Sequence, residues 1–391
     1  MHDPERLPIE WPQPVTTLPD PEAAPSAPPP RARTGWLIPM AAGFLGAGVA
    51  IATVLVTDIG RSSEPPIERV TEIVRTEIAT PETVTTNSLA AAVARRVVPS
   101  VVTVEVFSGP TLTGSGSGVI IDAANGYVVT NEHVVDDNAI VGIVLSDGRR
   151  YEGTVLGVDK LTDLAVVQID AEALIEIEHG ATDGLEVGDT AIAIGNPLGL
   201  LGGPTVTVGV LSAFDRLVEG GADGDDLYGM VQTDAPFTRG SSGGALVDDA
   251  GRLIGITTAV GVSDLGPEGL GFATPVEVMN RVTDEIIANG SSGHGFLGIL
   301  GSTQLAAQPD GGQAPVGVLV SQVFDGSSAL VSGIEAGDII TTVDGRDVTT
   351  MEGLVSTLRR FGPGDFVDVE VRRAGTPLSV TLELGDRTDA P

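Results

Sequence analysis

From Ser100 to Val262 the apolar positions fall in short β-branched runs separated by turn residues. The runs are "SVVTVEVF", "GSGVIID", "GYVVTNEHVV", "AIVGIVLSDGRRYEGTVLGVD", "LAVVQID", "DTAIAIGN", "TVTVGVLSA" and "RLIGITTAVGV". Many short strands at close spacing predict an all-β barrel or sandwich. Helical spacing is confined to the flanks. "SLAAAVARRVV" predicts a helix that Pro99 stops, and "PVEVMNRVTDEIIANG", from Pro275, predicts a closing helix ended by Gly290. "GSSGHG" reads as a hinge. The segment after it carries strands, one helix at "TMEGLVSTLRRF", and a last strand pair, "FVDVEVRR" and "LSVTLEL", about the turn Ala374-Gly375. The chain shows no repeat with the period of a solenoid or propeller.

Ahead of the strands the texture differs. Residues 1–35 are Pro-rich and polar and read as a disordered cytoplasmic tail. Residues 36–56, "WLIPMAAGFLGAGVAIATVLV", hold no charge and match the ~20 residues of a membrane-crossing helix. Arg31 and Arg33 precede this stretch and Trp36 sits at its boundary, which predicts an internal N-terminus. A cleaved signal peptide is the rival reading, with Ala50-Ile51-Ala52 as the cleavage site; the long leader and long apolar core fit it poorly. Residues 57–87, rich in charge, Pro and Thr, read as an extracytoplasmic stalk. The expected organisation is thus tail, anchor, stalk, a β-rich domain over 88–290 and a smaller domain over 291–387.

Composition narrows the chemistry. Of 391 residues, 42% are hydrophobic, enough for real cores, while 52 glycines, 26 prolines and 4% aromatics fit many turns and small strands. A net charge of -32 argues against nucleic acid, whose phosphates would be repelled. The absence of cysteine removes disulfides, Cys-based metal sites and a thiol nucleophile together. The acidic loop Glu219 to Met230 lacks the ordered ligand spacing of a calcium loop and reads as solvated, so neither a metal nor another cofactor is expected.

"TRGSSGGALVDDAGRLIGI", Thr238 to Ile256, raises the question of a nucleophile. A Ser/Gly string is usually a turn, but it can also lift a serine hydroxyl and aim backbone N–H groups at a substrate. Serine needs a base, and two of the four histidines lie in the β-rich segment. His179 sits in a polar turn beside Glu176 and Glu178 and reads as an exposed loop residue. His133 directly follows an apolar strand, where the chain leaves the sheet toward a cleft. A carboxylate must then fix the imidazole tautomer. Asp163 immediately precedes "LAVVQI" and can turn inward at a barrel rim; Asp159 and Asp170 read as surface charges. His133 alone reads more readily as a structural histidine, and each piece by itself is a weak signal; His133, Asp163 and Ser242 in that order within one β-rich segment are a stronger signal for base, orienting acid and nucleophile.

"GYVVTNEHVVDD", "DKLTDLAVVQID", "AIAIGNPLG", "VQTDAPFTRGSSGGALVDDAGRLIGITTAV" and "GLGFATPVEV" resemble the HtrA/Deg family of chymotrypsin-fold serine proteases. "FLGI" and "SALVSGIEAGDIITTVDGRDVTTMEGL" resemble that family's PDZ domain. The resemblance covers about residues 88–387. It implies a mainly β fold: two six-stranded barrels with the triad between them, then a small α/β PDZ domain. It also implies His133, Asp163 and Ser242 as the triad and the N–H groups of Gly240 and Ser242 as the oxyanion hole. Where the family carries Asn-Pro-Gly-Asn before the serine, this chain has Thr238-Arg239-Gly240-Ser241. The resemblance further implies Pro236 at the base of the primary pocket, without a carboxylate for Lys or Arg, and Thr258, Ala259 and Val260 on the strand that pairs with substrate. Small apolar side chains are therefore expected at the cleaved position. Phe296, Leu297, Gly298 and Ile299 are implied as the loop receiving a peptide's C-terminal carboxylate.

The expected partners are protein and peptide substrates, C-terminal peptides at the PDZ domain and, through one helix, the membrane. Trimers are common in the family, but no aromatic-rich N-terminal segment that would build one is evident here. Two functions compete. One is a membrane-anchored extracytoplasmic endopeptidase cleaving misfolded or regulatory envelope proteins. The other is a peptide-binding or chaperone-like envelope protein whose protease is idle.

Overall fold

The structure, a computed structural model, describes residues 88–196, 203–220, 226–236, 240–263 and 266–387. The predicted tail, apolar stretch and stalk lie outside these residues, as do Thr238 and Arg239. Among the described residues no helix is long and apolar enough to cross a membrane.

The strand-rich region forms two closed six-stranded barrels. The first joins β1 (Val101–Ser108), β2 (Thr111–Asp122), β3 (Tyr127–Thr130), β4 (Ile140–Val144), β5 (Arg150–Asp159) and β6 (Leu164–Ile169) in the order β1-β2-β3-β6-β5-β4. The second joins β7 (Thr190–Gly195), β8 (Thr205–Val218), β9 (Leu227–Thr233), β10 (Ala245–Val247), β11 (Leu253–Ser263) and β12 (Gly266–Pro275) in the order β10-β11-β12-β9-β8-β7. Closure leaves no edge strand in either sheet.

Several strands read as unbroken apolar runs because both faces are covered. On β6, Ala165 and Val167 face the first barrel's core, while Leu164 and Val166 join a second core shared by both barrels. On β7, Ala191 and Ala193 face the second barrel, and Ile192 and Ile194 the shared core. Two helices close that shared core. Helix α1 (Leu89–Val97) is capped by Ser88 and contributes Val93 and Val97. Pro99 redirects it into a short 3-10 turn, Val98–Ser100. The helix after β12, Val276–Asn289, contributes Met279, Val282 and Ile286 and ends at Gly290 in the left-handed conformation, φ 81°. Both helices match the sequence expectation.

The last domain is a sheet ordered β14 (Ile299–Ala307), β15 (Gln313–Val323), β16 (Ile339–Val343), β18 (Phe366–Arg373), β19 (Thr376–Glu383), with β17 (Arg346–Asp347) paired to β16. Strand β13 (Gly295–Phe296) pairs with β20 (Gly385–Asp386). A helix, Met351–Leu358, capped by the Thr350 hydroxyl, packs Leu354 into a core with Val318, Ile340, Val369 and Leu382.

Within the "GSSGHG" segment His294 is only 4% exposed. One expectation is corrected. Asp159 is not a surface charge. It is buried, and His294 Nε2 lies 2.9 Å from its Oδ1. Asp170 and His179 are exposed, as expected.

Candidate active site

The site is assembled from loops at the rims of both barrels. At the end of β3 the chain turns through Asn131 into a single helical turn, α2 (Glu132–Val135), which carries His133. Asn131 is fully buried; its side-chain amide donates to the Asp163 carbonyl (2.7 Å) and to the Thr258 hydroxyl (2.9 Å). Both of these partners belong to other parts of the site, so Asn131 pins the exit of β3 against each barrel.

The turn between β5 and β6 presents Asp163. Asp159 accepts hydrogen bonds from the Leu161 N–H and the Thr162 hydroxyl, which closes the turn. Asp163 then takes a left-handed φ of 53°, which Asp tolerates better than most side chains. Its Oδ2 lies 2.8 Å and its Oδ1 3.0 Å from His133 Nδ1, and Oδ1 also accepts the His133 backbone N–H at 3.1 Å. A carboxylate can only accept, so Nδ1 carries a proton, and in the neutral imidazole the lone pair is then on Nε2.

Ser242 stands in the loop from β9 to β10, in the second barrel. Gly240 and Gly243 have φ of 89° and 84°. At Gly243 a Cβ would fall 2.1 Å from the Ser117 carbonyl oxygen, so only glycine fits. The Gly243 N–H bonds the Thr257 carbonyl (2.7 Å), and the Ser242 carbonyl accepts the Ser117 N–H of β2 (2.8 Å). That last bond carries the serine of one barrel to the barrel that holds His133 and Asp163. The Ser242 hydroxyl donates to the Thr258 carbonyl at 3.2 Å.

Of the expected specificity residues, Pro236 is exposed and Thr258 is buried, 5% exposed. Ala259 and Val260 lie on β11, opposite Phe272 and Gly271 of β12. In the last domain, Phe296 to Ile299 run from β13 into β14, with Leu297 buried and Gly298 at φ 81°. This loop and the helix Met351–Leu358 line a cavity of about 90 Å³ that Arg359 and Arg387 also border. Strand β14 is the terminal strand of its sheet and lies beside that cavity. Burial, with the like charge of Arg387, pulls the Arg359 guanidinium down to about 10. The group lies 6.0 Å from the Tyr228 ring centroid, and its Nε has no hydrogen-bond partner among the described residues.

Sequence reasoning missed the Asp159–His294 pair, Asn131 and the hydroxyls of Ser117 and Thr257. Ser117 sits between two glycines in "GSGSG", a pattern that marks close packing but not its partner. Burial pushes the Asp159 carboxyl up, but the His294, Thr162 and Leu161 bonds outweigh it and hold the group below its ordinary value. Arg281, on the helix after β12, donates to the Gly293 and Arg359 carbonyls and meets His294 Nδ1 at 3.3 Å. Among the described residues no cluster of His, Asp and Glu is arranged to hold a metal ion.

Paired barrels followed by this small sheet domain define a trypsin-like peptidase joined to a PDZ module. Comparison with known proteins agrees: a trypsin-like peptidase domain matches residues 116–256, and a PDZ domain matches residues 292–384. The periplasmic serine endoprotease DegP of Salmonella typhimurium is 42% identical over 273 residues, 69% of this chain and 56% of that protein. The periplasmic pH-dependent serine endoprotease DegQ of Escherichia coli is 39% identical over 280 residues, 71% of this chain and 60% of that protein. The chain therefore spans a little over half the length of these curated relatives. Among solved structures, the HtrA-type protease AlgW with a tripeptide superposes with a TM-score of 0.59 at 35% identity, covering 76% of this chain and 97% of that one. The chain belongs to the HtrA family of serine proteases.

Proposed function

We propose that this chain is a membrane-anchored extracytoplasmic serine endopeptidase that cleaves misfolded or regulatory envelope proteins. One observation carries the reading: Asp163 holds His133 by Nδ1, while the Ser117–Ser242 backbone bond brings the serine loop of the other barrel to the same cleft. In the proposed reaction Ser242 Oγ attacks the scissile carbonyl as its proton passes to His133 Nε2. The N–H groups of Gly240 and Ser242 receive the oxyanion. Collapse expels the amine, which takes the proton from His133. Water, deprotonated by the same imidazole, then releases the acyl group from Ser242.

DegP and DegQ are named as periplasmic, which supports an extracytoplasmic site of action. The uncharged stretch 36–56 behind Arg31 and Arg33 supports an anchor with an internal N-terminus. The PDZ domain is proposed to span about 291–387 and to take free C-termini, with peptide added beside β14 and its carboxylate at Phe296 to Ile299. The buried Arg359 cation beside the same cavity supports this. A second reading, a latent protease serving chiefly as a peptide binder, is favoured by the bond from the Ser242 hydroxyl to Thr258, which must be exchanged for His133 before attack.

A fluorophosphonate probe and casein turnover, each on wild type and Ser242→Ala, test the proposal. Labelling and hydrolysis are expected in wild type only, with turnover falling on the order of a millionfold in the variant. Equal turnover removes Ser242 from the mechanism, and an unlabelled, inactive wild type leaves the latent reading.

A further inference from the structure

Two buried hydroxyls outside the triad touch the backbone of the serine loop. Ser117, on β2 of the first barrel, is fully buried, and Thr257, on β11 of the second, is 1% exposed. Between them they hold three successive carbonyls. The Gly240 carbonyl accepts the Ser117 hydroxyl at 2.7 Å. The Ser241 carbonyl accepts the Thr257 hydroxyl at 2.6 Å and the Gly244 N–H at 3.0 Å. The Ser242 carbonyl accepts the Ser117 N–H at 2.8 Å.

The direction of the Ser117 proton is fixed. Its oxygen accepts the Asn196 N–H at 2.8 Å, and an N–H can only donate, so the single hydroxyl proton goes to Gly240. Ser117 itself cannot drift, because its own carbonyl accepts the Thr130 hydroxyl at 2.6 Å. In a trans peptide the N–H points opposite to the carbonyl of the preceding residue, and the described chain contains no cis peptide. Tying the Ser241 carbonyl to Thr257, inside the second barrel, therefore aims the Ser242 N–H away from that barrel's interior. A preset donor stabilises developing charge because it needs no reorganisation as the charge appears.

We infer that Ser117 and Thr257 are positioning residues for the oxyanion site: the Thr257 hydroxyl locks the Ser241 carbonyl and so sets the direction of the Ser242 amide, while Ser117, through its hydroxyl on the Gly240 carbonyl and its N–H on the Ser242 carbonyl, holds the peptides on either side. The inference rests on Ser242 being the nucleophile.

The test uses the full chain with Ser117→Ala, Thr257→Ala and Thr257→Ser. Steady-state cleavage of a peptide is measured beside binding of two ligands, a peptidyl boronate and an uncleavable peptide of the same sequence. The boronate forms a tetrahedral adduct on serine with an oxygen in the hole; the uncleavable peptide reports ground-state binding alone. Each alanine variant is expected to lose about tenfold to hundredfold in kcat with KM held. That is less than the hundredfold to thousandfold lost when a hole donor itself is removed. Boronate affinity should fall by the same factor while the uncleavable peptide binds as in wild type. Thr257→Ser keeps the hydroxyl and should keep wild-type kcat. Three results overturn the inference: alanine variants within twofold of wild type in kcat, equal losses for the two ligands, or a Thr257→Ser loss matching that of Thr257→Ala. These outcomes are separable from failure of the site itself, since turnover that survives Ser242→Ala removes the nucleophile and the inference with it.

Discussion

Asp163 meets its histidine three times, through both oxygens at Nδ1 and through Oδ1 at the backbone N–H. Asparagine in its place would keep the shape but turn an N–H₂ group toward Nδ1 and favour the wrong tautomer. Asp163→Asn is therefore expected to lose on the order of 10⁴ in kcat with little change in KM. Steady-state kinetics decide it, and a loss under tenfold would remove Asp163 from the proposed triad. The choice of Asp163 over its neighbours was readable, because it alone abuts the apolar strand "LAVVQI". The burial of Asp159, four residues earlier, was not: its partner, His294, lies 135 residues away.

At the scale of elements, the turn between β5 and β6 and the linker behind the closing helix act as one unit. Asp159 caps the turn from inside while His294 of the linker holds its carboxylate. The Asp159 carboxyl sits below its ordinary value of 3.8 in the folded protein, so protonation favours the unfolded chain. Its contribution to stability is thus present above that value and is lost as pH falls through the lowered one. Asp159→Asn should lower the urea midpoint clearly at pH 6, and the gap from wild type should narrow toward pH 3. A gap equal at the two pH values would show that the carboxylate's charge is irrelevant there. The serine loop is constrained more sharply. Gly243→Ala would force a side chain onto the Ser117 carbonyl at a left-handed φ, a conformation costing ~1–3 kcal/mol before the clash is counted. Thermal melting should show a loss of at least that size, and an unchanged midpoint would mean the loop is free to move.

Across the whole molecule, barrels and PDZ domain meet through several contacts. His294 joins Asp159, Arg281 donates to the Arg359 carbonyl, and Asp183 pairs with Arg346 and with Arg360. If the PDZ domain takes C-termini, peptides with apolar last residues should bind it, and C-terminal amidation should weaken binding markedly. Arg359→Gln should reduce the difference between free and amidated peptides. Calorimetry reads both, and equal affinity for amidated forms would sink the carboxylate claim. A peptide raises turnover only by binding the active arrangement better than the resting one, so parallel assays separate regulation from docking. If Pro236 floors the primary pocket, as the resemblance implies, cleavage is expected after Val, Ala or Leu, since proline offers no counter-charge for a buried cation. Peptide-library profiling with a strong basic preference would overturn the pocket assignment. Reporter fusions near residue 70 should lie outside and fusions before Arg31 inside. A soluble mature protein beginning near Thr53 would instead mark a cleaved signal.

What the sequence determined by itself is local or ordered along the chain. β-branched runs between turn residues specify strands because side-chain direction repeats every two residues. Pro99 and Gly290 end helices through their own backbone preferences, and His133, Asp163 and Ser242 each stand at the rim of an apolar run. What only the tertiary structure decided is which polar groups meet once the barrels close. Ser117 and Gly240 are 123 residues apart, and their bond exists because β2 of one barrel lies against the serine loop of the other. The burial of His294 was decided in the same way, by a turn in the first barrel waiting with a carboxylate. Hydrogen bonds of this kind leave no period in the sequence, since each needs one donor, one acceptor and a fold that brings them within 3 Å.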